Sequence, residues 1–481
     1  MVRPLLALSV LSLLLASCKN EQTQPTSGTV TDEKKLASAK PESTASAPSA
    51  PGASASAAGP PPPAPVCKVV SQKTWAKGAN RTTGLTAEPL PDGRVALGLA
   101  LGTTPHVLVV DKGGTGKLVK VAVKAGSALA KPPAPADGAR HLMRVTPVKI
   151  TGEAAEAFVD YRDEYKNKRR RVACGPAESD DAWLVYDDTP WFERDEKDRT
   201  GDARAKAFKK KEADADEGHH ELRDCRTFVD HKKNETWVVG SELVGKEQQP
   251  GGAITWRTSL VVDKGAKMHE LHTHDHELKD EKDAKIHKFE IPMSHPMHDG
   301  GFLLAARYSG TLVVALLNPD KTRRGDVHTY PGTPTLPDMA VDGDDTVLLT
   351  SFARGKNEFS LRAMRLSGKK PELPKTLSPV VLFPDDKDSE TDPDFTRDDK
   401  GRRWITYVDG ERGHGKLFIA PMDANFRAPG KPFEITQENE KASEARLVPL
   451  KDGTLLVAFL KEAEGGSFEL VTEDLDCDIV K

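Results

Sequence analysis

The chain has 481 residues, and its 69 Lys and Arg against 73 Asp and Glu give a formal net charge of −4. So small a charge excludes the strongly basic surface that most nucleic-acid-binding proteins present, and predicts no nucleic-acid partner. Beyond residue 17, no apolar segment approaches the roughly 20 residues that a membrane-spanning helix requires.

The first 17 residues have the layout of a secretory signal. Arg3 is followed by an apolar stretch at 5–15 and by the small residues Ala16 and Ser17. Eleven apolar residues are too few to span a bilayer, so the segment predicts a cleaved signal peptide at 1–17.

Leu15-Ala16-Ser17-Cys18 resembles the lipobox of bacterial lipoproteins. This resemblance implies that the Cys18 thiol carries a diacylglyceryl group and that Cys18 becomes the first residue after cleavage. It therefore implies a lipid-anchored protein of the cell envelope. Lys19, where some members of that class have Asp, favours the outer membrane. The alternative is a cysteine that lies in the signal by chance.

Residues 18–66 are mostly Ala, Ser, Pro, Thr and Gly, with no aromatic residue after Cys18. Such a composition cannot bury a core and predicts a disordered tether. The remaining 415 residues, 67–481, are enough for a large folded domain held away from the membrane by that tether.

A polar turn followed by a short apolar run recurs along this domain. Most runs precede a second strand-like segment, as expected of small antiparallel sheets. The seven runs are 94–97, 157–161, 236–239, 302–304, 346–349, 404–408 and 454–457. The spacing predicts an all-β fold, a β-propeller of seven blades, with six or eight as close alternatives. A pair of β-sandwiches is the other architecture that fits. A charged segment near 193–223 interrupts the series and indicates an insertion.

Three segments, 334–342, 392–398 and 444–449, resemble the innermost strands of sialidase-like propellers. The sialidase Asp-box follows Ser-x-Asp-x-Gly-x-Thr-Trp, and Asp399, Gly401 and Trp404 fit that spacing, whereas Arg397 and Arg403 replace the Ser and the Thr. The resemblance implies a related fold. It implies little about activity, because the box is structural in that family.

A histidine-rich segment contains His269, His272, His274 and His276. Neutral imidazoles bind zinc and copper well, and on an extended strand the last three would project to one face. The segment predicts a divalent metal site, with a hydrophilic loop as the alternative. His269-Glu270-Leu271-His272-Thr273 does not complete the His-Glu-x-x-His zinc motif.

Carboxylates are concentrated at Asp385, Asp386, Asp388, Glu390, Asp392 and Asp394. Their oxygens suit calcium, but the spacing is not that of an EF-hand and a solvated loop is the alternative. Glycoside cleavage requires two carboxyl groups about 5 to 9.5 Å apart, or a tyrosine nucleophile as in sialidases. Asp338, Asp392 and Asp394 are candidates for the first role, and Tyr308 and Tyr407 for the second.

With Cys18 lipidated, four cysteines remain in an oxidising compartment. Cys67 opens the domain and Cys477 lies four residues from its end, so a closed ring brings them together. Cys174 and Cys225 flank the charged insertion. We therefore predict the disulfides Cys67–Cys477 and Cys174–Cys225.

Three functions are compatible with these features. The first is an envelope propeller that binds a protein, peptide or glycan without catalysis. The second is a sialidase-like glycoside hydrolase, and the third is a metal-binding protein that uses the histidine-rich segment. No common catalytic motif favours an enzyme, although propeller sites are assembled from dispersed strands.

Overall fold

The computed structural model describes residues 66–478, apart from 82, 112–114, 124–137, 152–153, 166–169, 175–184, 188–218, 248–253, 265–266, 277–288, 333, 336, 354–358, 380–389, 411–413, 429–430 and 451–452. The predicted signal peptide, Cys18 and nearly all of the tether lie outside these residues, as does most of the predicted insertion. Within the described ranges every regular element is a β-strand except a 3-10 turn at Glu464–Gly466, so the predicted all-β fold is confirmed. These ranges contain no helix long and apolar enough to cross a membrane.

The described strands pair as antiparallel groups of four, which we number units 1 to 7. Unit 1 comprises β2 (Thr86–Pro89), β3 (Val95–Leu101), β4 (Thr104–Val110) and β5 (Gly116–Val123). Unit 2 comprises β6 (Gly138–Thr151), β7 (Ala154–Tyr165), β8 (Arg170–Ala173) and β9 (Val185–Asp187). Unit 3 comprises β10 (His219–Asp230), β11 (Glu235–Glu247), β12 (Ile254–Lys264) and β13 (Lys267–His276).

Unit 4 comprises β14 (Phe289–Pro296), β15 (Phe302–Tyr308), β16 (Thr311–Leu317) and β17 (Arg323–Pro331). Unit 5 comprises β18 (Asp338–Asp342), β19 (Asp345–Ala353), β20 (Phe359–Leu366) and β21 (Ser378–Pro379). Unit 6 comprises β22 (Glu390–Arg397), β23 (Arg403–Asp409), β24 (Lys416–Met422) and β25 (Phe433–Glu434). Unit 7 comprises β26 (Ala442–Pro449), β27 (Leu455–Glu462), β28 (Phe468–Asp478) and the N-terminal strand β1 (Val66–Ala79).

Units 3 to 6 are separate four-stranded sheets, whereas units 7, 1 and 2 are joined into one path of twelve strands. Only a few residue pairs connect these three units. A single residue pair links β1 to β3, and three parallel pairs link β5 to β7. First strands of successive units contact each other, for example β10 with β14, β18 with β22 and β22 with β26.

Each apolar run predicted from the sequence lies in the second strand of a unit, that is in β3, β7, β11, β15, β19, β23 or β27. The turn before it is three residues long in several units. In unit 1 the Leu90 N–H donates to the Arg94 carbonyl at 2.8 Å, and Gly93 takes a φ of 83°. The same pattern holds at Gly300 and Gly401, with φ of 88° and 78°. Glycine tolerates this left-handed backbone, which closes a hairpin in register.

The core lies between the faces of neighbouring units, and buried apolar side chains connect every successive pair. Unit 7 also packs against unit 1, where Leu456 and Leu470 share a cluster with Leu97 and Leu108. Burial of this kind stabilises by roughly 25 cal/mol for each Å² of apolar surface removed from water. Burial of apolar side chains therefore stabilises the contacts between units.

Both predicted disulfides are present. Cys67–Cys477 lies within the pairing of β1 with β28, where the two residues are opposite each other and both are buried. Cys174–Cys225 joins the end of β8 in unit 2 to β10 in unit 3, and both cysteines are buried there also.

Candidate functional site

Polar side chains of the seven first strands form one electrostatically coupled group, which we call the inner-strand cluster. Each of the strands β2, β6, β10, β14, β18, β22 and β26 contributes at least one member. The members are Glu88, Arg144, Arg226, His295, Asp338, Asp392, Asp394, Glu444 and Arg446.

β-Bulges orient several of these side chains. Pairing of the first strand with the second shifts by a residue between Thr391 and Asp394 in unit 6 and between Ser443 and Ala445 in unit 7. At these bulges Asp392 and Glu444 take positive φ angles of 47° and 46°. Non-glycine residues adopt such a backbone only when the surrounding structure holds them there, and bulges commonly redirect side chains near functional sites.

Several carboxylates of first strands also connect neighbouring units. Asp224 Oδ2 accepts a hydrogen bond from the Ile291 N–H of unit 4 at 2.8 Å, and Asp394 Oδ2 accepts one from the Leu447 N–H of unit 7. Glu444 Oε2 accepts from the Leu85 N–H at 2.9 Å, which joins unit 7 to the segment leading into unit 1. Asp394 and Glu444 therefore have a structural role as well as their place in the cluster.

Arg446 is the central cation of the cluster. Burial alone would lower the pKa of its guanidinium, but Asp394, Asp338, Glu444 and Asp392 outweigh that effect and raise it. Its Nη1 donates to the Ala445 carbonyl at 2.8 Å. Arg446 therefore remains charged and stabilises the negative charge of carboxylates from three units.

An ion pair between Arg144 and Glu88 joins units 2 and 1 within the cluster. Arg144 Nη2 lies 3.8 Å from Glu88 Oε1, and the Arg144 guanidinium stacks over the Phe228 ring with its centre 5.0 Å from the centroid. Burial lowers the pKa of Arg144 to about 10 and raises the pKa of Glu88 to about 7, although Arg144 and Arg446 oppose the latter. Glu88 thus titrates near neutral pH.

Two further carboxyl groups hold their protons unusually well. Burial, together with the charge of Asp392, raises the pKa of Glu444 to about 7, against the opposing effect of Arg446. Burial raises the pKa of Asp392 as well. Carboxyl groups with pKa values near 7 can both donate and accept hydrogen bonds at neutral pH, and they are also suited to proton transfer.

Asp338 and Asp394 form a carboxyl pair. Burial raises the pKa of Asp394 well above its usual range, and the charge of Asp338 with its hydrogen bond to the Asp394 carboxyl raises it further. Asp394 therefore holds its proton more tightly than an ordinary aspartate, because ionisation beside a second carboxyl group is unfavourable. Among the described residues, the buried Oδ2 of Asp338 has no hydrogen-bond partner. This oxygen is free to accept a ligand donor.

His295 completes the cluster from unit 4. Its Nδ1 lies 2.7 Å from the Pro296 carbonyl, and burial lowers its pKa despite that contact and the charge of Asp338. The ring is therefore neutral near pH 7. With four carboxyl groups of raised pKa, the carboxyl group of Asp338, three arginines and a neutral imidazole, the cluster offers mixed hydrogen-bond donors and acceptors close to charge balance.

The three aspartates predicted as candidates from the sequence, Asp338, Asp392 and Asp394, lie together in this cluster. The two candidate tyrosines lie elsewhere. Tyr308 packs on Phe289 with ring centroids 4.7 Å apart, and burial raises the pKa of its hydroxyl to about 12. Tyr407 stacks on Phe418 at 5.5 Å in the core between units 5 and 6.

The predicted acidic segment divides between the described residues and a gap. Asp385, Asp386 and Asp388 lie outside the described residues. Glu390 Oε2 accepts from the Leu361 N–H of unit 5 at 3.2 Å, whereas Asp394 accepts from Leu447 of unit 7. The described carboxylates therefore face different neighbours.

The histidine-rich segment forms most of β13, the outermost strand of unit 3. His272 pairs with Leu260 and His274 with Thr258, so His272, His274 and His276 occupy alternate positions of the strand. The side chains of His269, His274 and His276 lie outside the described residues. No group of three metal-ligating side chains occurs in the part of the chain that is described. The metal site stays a prediction.

The degenerate Asp-box forms the turn between β22 and β23, but the residue that organises it is Asp398. Its Oδ1 accepts from the N–H groups of Lys400 and Arg402, at 3.0 and 2.8 Å, and its Oδ2 accepts from Trp404 Nε1 at 3.1 Å. Asp399, which fits the sequence spacing, is exposed. Asp399 lies within the three-residue loop, whereas the carboxylate that holds the turn comes from Asp398, the residue before that loop.

Sequence reasoning missed the other six members of the cluster, which are Glu88, Arg144, Arg226, His295, Glu444 and Arg446. A usable signal is polar residues at alternate positions of a first strand, as in Asp392-Pro393-Asp394 and Glu444-Ala445-Arg446. Alternation places both members on one face of the strand, while the residues between them enter the core.

No protein-family model and no curated protein sequence matches the chain. Among solved structures it is similar to the NanB sialidase of Streptococcus pneumoniae, at 10% identity and a TM-score of 0.41 over 85% of this chain and 70% of that one. It is also similar to the Dos1 propeller, at 11% identity and a TM-score of 0.32 over 79% and 75%. An α-L-arabinanase of Penicillium chrysogenum shows 13% identity and a TM-score of 0.29 over 51% and 78%. We transfer no activity or ligand from proteins this distant.

Proposed function

We propose that the protein is a lipid-anchored, extracytoplasmic β-propeller of seven blades that binds a glycan at the inner-strand cluster. The observation that carries this proposal is the convergence of polar side chains from the first strands of all seven units. First strands that surround a common centre bring residues from units distant in sequence into one electrostatic group, so this coupling supports a ring.

The blade count is supported by the packing between units. Buried apolar clusters connect successive units along the chain, and the cluster of Leu97, Leu108, Leu456 and Leu470 connects the last unit to the first. β1 supplies the fourth strand of unit 7, so the final sheet contains both ends of the domain. Two β-sandwiches would not require this contact between first and last sheets.

A neutral, hydroxyl-rich ligand suits the chemistry of the cluster. Sugar hydroxyls both donate and accept, and the cluster provides ionised carboxylates, protonated carboxyls and guanidinium groups close to charge balance. A strongly charged ligand, of either sign, would be repelled by the groups of the cluster that carry the same charge. Few, convergent polar groups with perturbed pKa values are typical of ligand sites. The free Oδ2 of Asp338 is one position at which the bound ligand would replace water.

The proposed localisation of the protein is based on the lipobox at Cys18 and the composition of residues 18–66. Both favour a domain displayed at the cell envelope, and Lys19 favours the outer membrane. Such a domain meets glycans, peptides and other envelope proteins, which remain the partner classes to be compared.

A glycoside hydrolase is the second candidate, because Glu88 and Glu444 have pKa values of about 7 and could act as proton donors. Asp338 and Asp394 by themselves do not suit this role. Their carboxyl groups are in hydrogen-bond contact, whereas glycoside hydrolysis needs a separation of about 5 to 9.5 Å.

The test uses the full chain with Cys18→Ser, incubated with an array of neutral oligosaccharides. We expect Asp338→Asn to weaken binding by about tenfold, the equivalent of one charge-assisted hydrogen bond. Asp326→Asn, an exposed aspartate on β17, should bind as the parent does. Release of new reducing ends would identify a hydrolase. Binding of peptides but no oligosaccharide by the folded protein would overturn the glycan proposal.

A further inference from the structure

Three arginines surround one buried carboxylate where unit 5 meets unit 6. Arg403 Nε lies 2.7 Å from Asp342 Oδ2, Arg365 Nη2 is hydrogen-bonded to the same oxygen, and Arg397 Nη1 lies 3.5 Å from Oδ1. We propose that Arg365, Arg397 and Arg403 form a second binding site, for a phosphate monoester dianion. This proposal does not depend on the glycan site.

The placement of Arg397 and Arg403 is unfavourable without an anion. Arg397 ends β22 and Arg403 begins β23, and the two residues are directly opposite in the hairpin. Like charges in that position destabilise a sheet. They are also the residues that replace the Ser and Thr of the sialidase Asp-box, so the departure from that pattern is what creates the arginine pair.

Asp342 offsets only part of this positive charge. Three guanidinium groups around one carboxylate leave two net positive charges, and each guanidinium carries five N–H donors while a carboxylate accepts about four hydrogen bonds. Among the described residues, no carboxylate other than Asp342 forms an ion pair with these arginines.

Nearby aspartates are occupied with other partners. Asp344 lies 3.7 Å from His298 Nδ1, Asp345 Oδ1 accepts the Gly368 N–H at 3.0 Å, and Asp398 Oδ2 holds Arg402 Nε at 2.6 Å. None of these three carboxylates forms an ion pair with Arg365, Arg397 or Arg403 among the described residues. Within that part of the chain, three guanidinium groups paired with the single carboxylate of Asp342 leave a surplus of two positive charges in this group.

The arginines are both accessible and oriented. Arg397, Arg365 and Arg403 retain 38%, 24% and 20% of their side-chain exposure, so an anion can reach them from solvent, while Asp342 is fully buried beneath. The Arg365 guanidinium stacks over Phe426 at 4.6 Å, which fixes its plane, and its buried Nε has no partner among the described residues.

The net positive charge of the three arginines with Asp342 indicates which class of ligand the site would bind. A surplus of two positive charges matches a phosphate monoester, which carries nearly two negative charges above its second pKa of about 6 and presents several acceptor oxygens. A carboxylate carries one charge and fewer acceptors. Planar, bidentate guanidinium groups suit phosphate better than the point charge of lysine would.

The experiment is calorimetric titration of the full chain carrying Cys18→Ser with inorganic phosphate at pH 8 and constant ionic strength. We expect saturable binding, weakened about tenfold in Arg397→Gln and in Arg403→Gln, the equivalent of one charge-assisted hydrogen bond each. Arg427→Gln removes an exposed arginine from the same unit and should leave phosphate binding within about twofold. Acetate should bind at least tenfold more weakly than phosphate.

A melting curve for each variant establishes that it is folded at the temperature of the titration. Glycerol phosphate in solution and vesicles containing phosphatidic acid present the same group from two sources, and stronger binding to one identifies the physiological source. The proposal would be overturned if the folded parent showed no saturable phosphate binding, if both arginine variants bound phosphate as tightly as the parent, or if acetate bound as tightly as phosphate.

Discussion

Asp398 shows how much stability one side chain can contribute to a turn. Its carboxylate is buried and accepts from two backbone N–H groups, from Arg402 Nε at 2.6 Å and from the Trp404 indole at 3.1 Å. Asp398→Ala leaves these donors buried without an acceptor, so we expect the free energy of unfolding to fall by about 2–4 kcal/mol. Urea denaturation followed by tryptophan fluorescence measures the change.

Asp399→Ala is the matched control, because it removes the neighbouring, exposed carboxylate. An exposed substitution of this kind changes stability by about 0.5 kcal/mol or less. If the two variants unfold at the same urea concentration, the hydrogen bonds of Asp398 do not stabilise the turn.

Glu444 predicts a pH dependence with a definite sign. Its pKa rises from 4.5 to about 7 on folding because the side chain is buried and lies near Asp392. The folded state therefore binds the proton more tightly than the unfolded state, and the stabilisation present below pH 4.5 is lost as the pH rises to about 7. Asp92 and Asp299, whose pKa values are lowered, titrate below this window.

The comparison is between the parent protein and Glu444→Gln, whose amide oxygen can still accept from Leu85. We expect the melting temperature of the parent, relative to the variant, to fall by roughly 1–3 °C between pH 5 and pH 8. The difference isolates Glu444 from the histidines with lowered pKa values, which act in the opposite direction. Glu372→Gln, at an exposed position, should show no such trend. A constant difference at both pH values would contradict the prediction.

Second strands were predictable because they are buried on both faces and read as continuous apolar runs. β19, for example, is buried from Thr346 to Phe352. First strands were found in only three units, because polar residues such as Glu88 and Arg144 alternate with apolar ones in segments that read as loops. The two-residue outer strands β21 and β25 carry no periodicity at all. Burial on both faces leaves a continuous apolar run in the sequence, whereas a polar centre leaves only the weaker alternation of polar residues seen in Asp392-Pro393-Asp394 and Glu444-Ala445-Arg446.

At the scale of elements, the pairing of β1 with β28 is held by Cys67–Cys477. A disulfide closing so long a loop stabilises mainly by restricting the unfolded chain, typically by about 2–4 kcal/mol. We therefore expect Cys67→Ala with Cys477→Ala to lower the free energy of unfolding by this amount. Denaturant titration measures it, after non-reducing peptide mapping has established the pairs in the parent.

The double variant Cys174→Ala with Cys225→Ala is the comparison, because it opens the other bridge, between units 2 and 3. Reduction of both disulfides in the parent should then lower the free energy of unfolding by little more than the sum of the effects of the two double variants. An unchanged unfolding midpoint without Cys67–Cys477 would show that strand pairing alone holds the ends of the domain together.

At the scale of the molecule, the site could be predicted only in part. Asp338, Asp392 and Asp394 were candidates by residue type and by their position near inner strands. Arg446 could not be assigned to them, because its partners lie in units 5, 6 and 7 and only the arrangement of those units brings them into one group. The partners of Arg446 in units 5 and 6 are separated from it by 52 to 108 residues, and such distances leave no local pattern in the sequence.

The membrane anchor is tested separately from the folded domain. Cys18→Ser removes the thiol that would carry the lipid, so we expect the protein to move from the membrane fraction to the soluble envelope fraction. Fractionation followed by immunoblotting measures the change, and Ser27→Ala in the predicted tether should stay with the membrane. Retention of the Cys18→Ser protein in the membrane fraction would exclude lipid on Cys18 as the anchor.

The position of β1 has a consequence for the order of folding. β1 is the first of the described strands to be synthesised, yet its partner β28 is the last, and Cys67 is separated from Cys477 by 410 residues. A long-range contact of this kind forms late and slowly. Until β28 pairs with β1, unit 7 is incomplete and the face of unit 1 that packs on Leu456 and Leu470 remains exposed. The folding chain is thus vulnerable to aggregation until this last pairing forms.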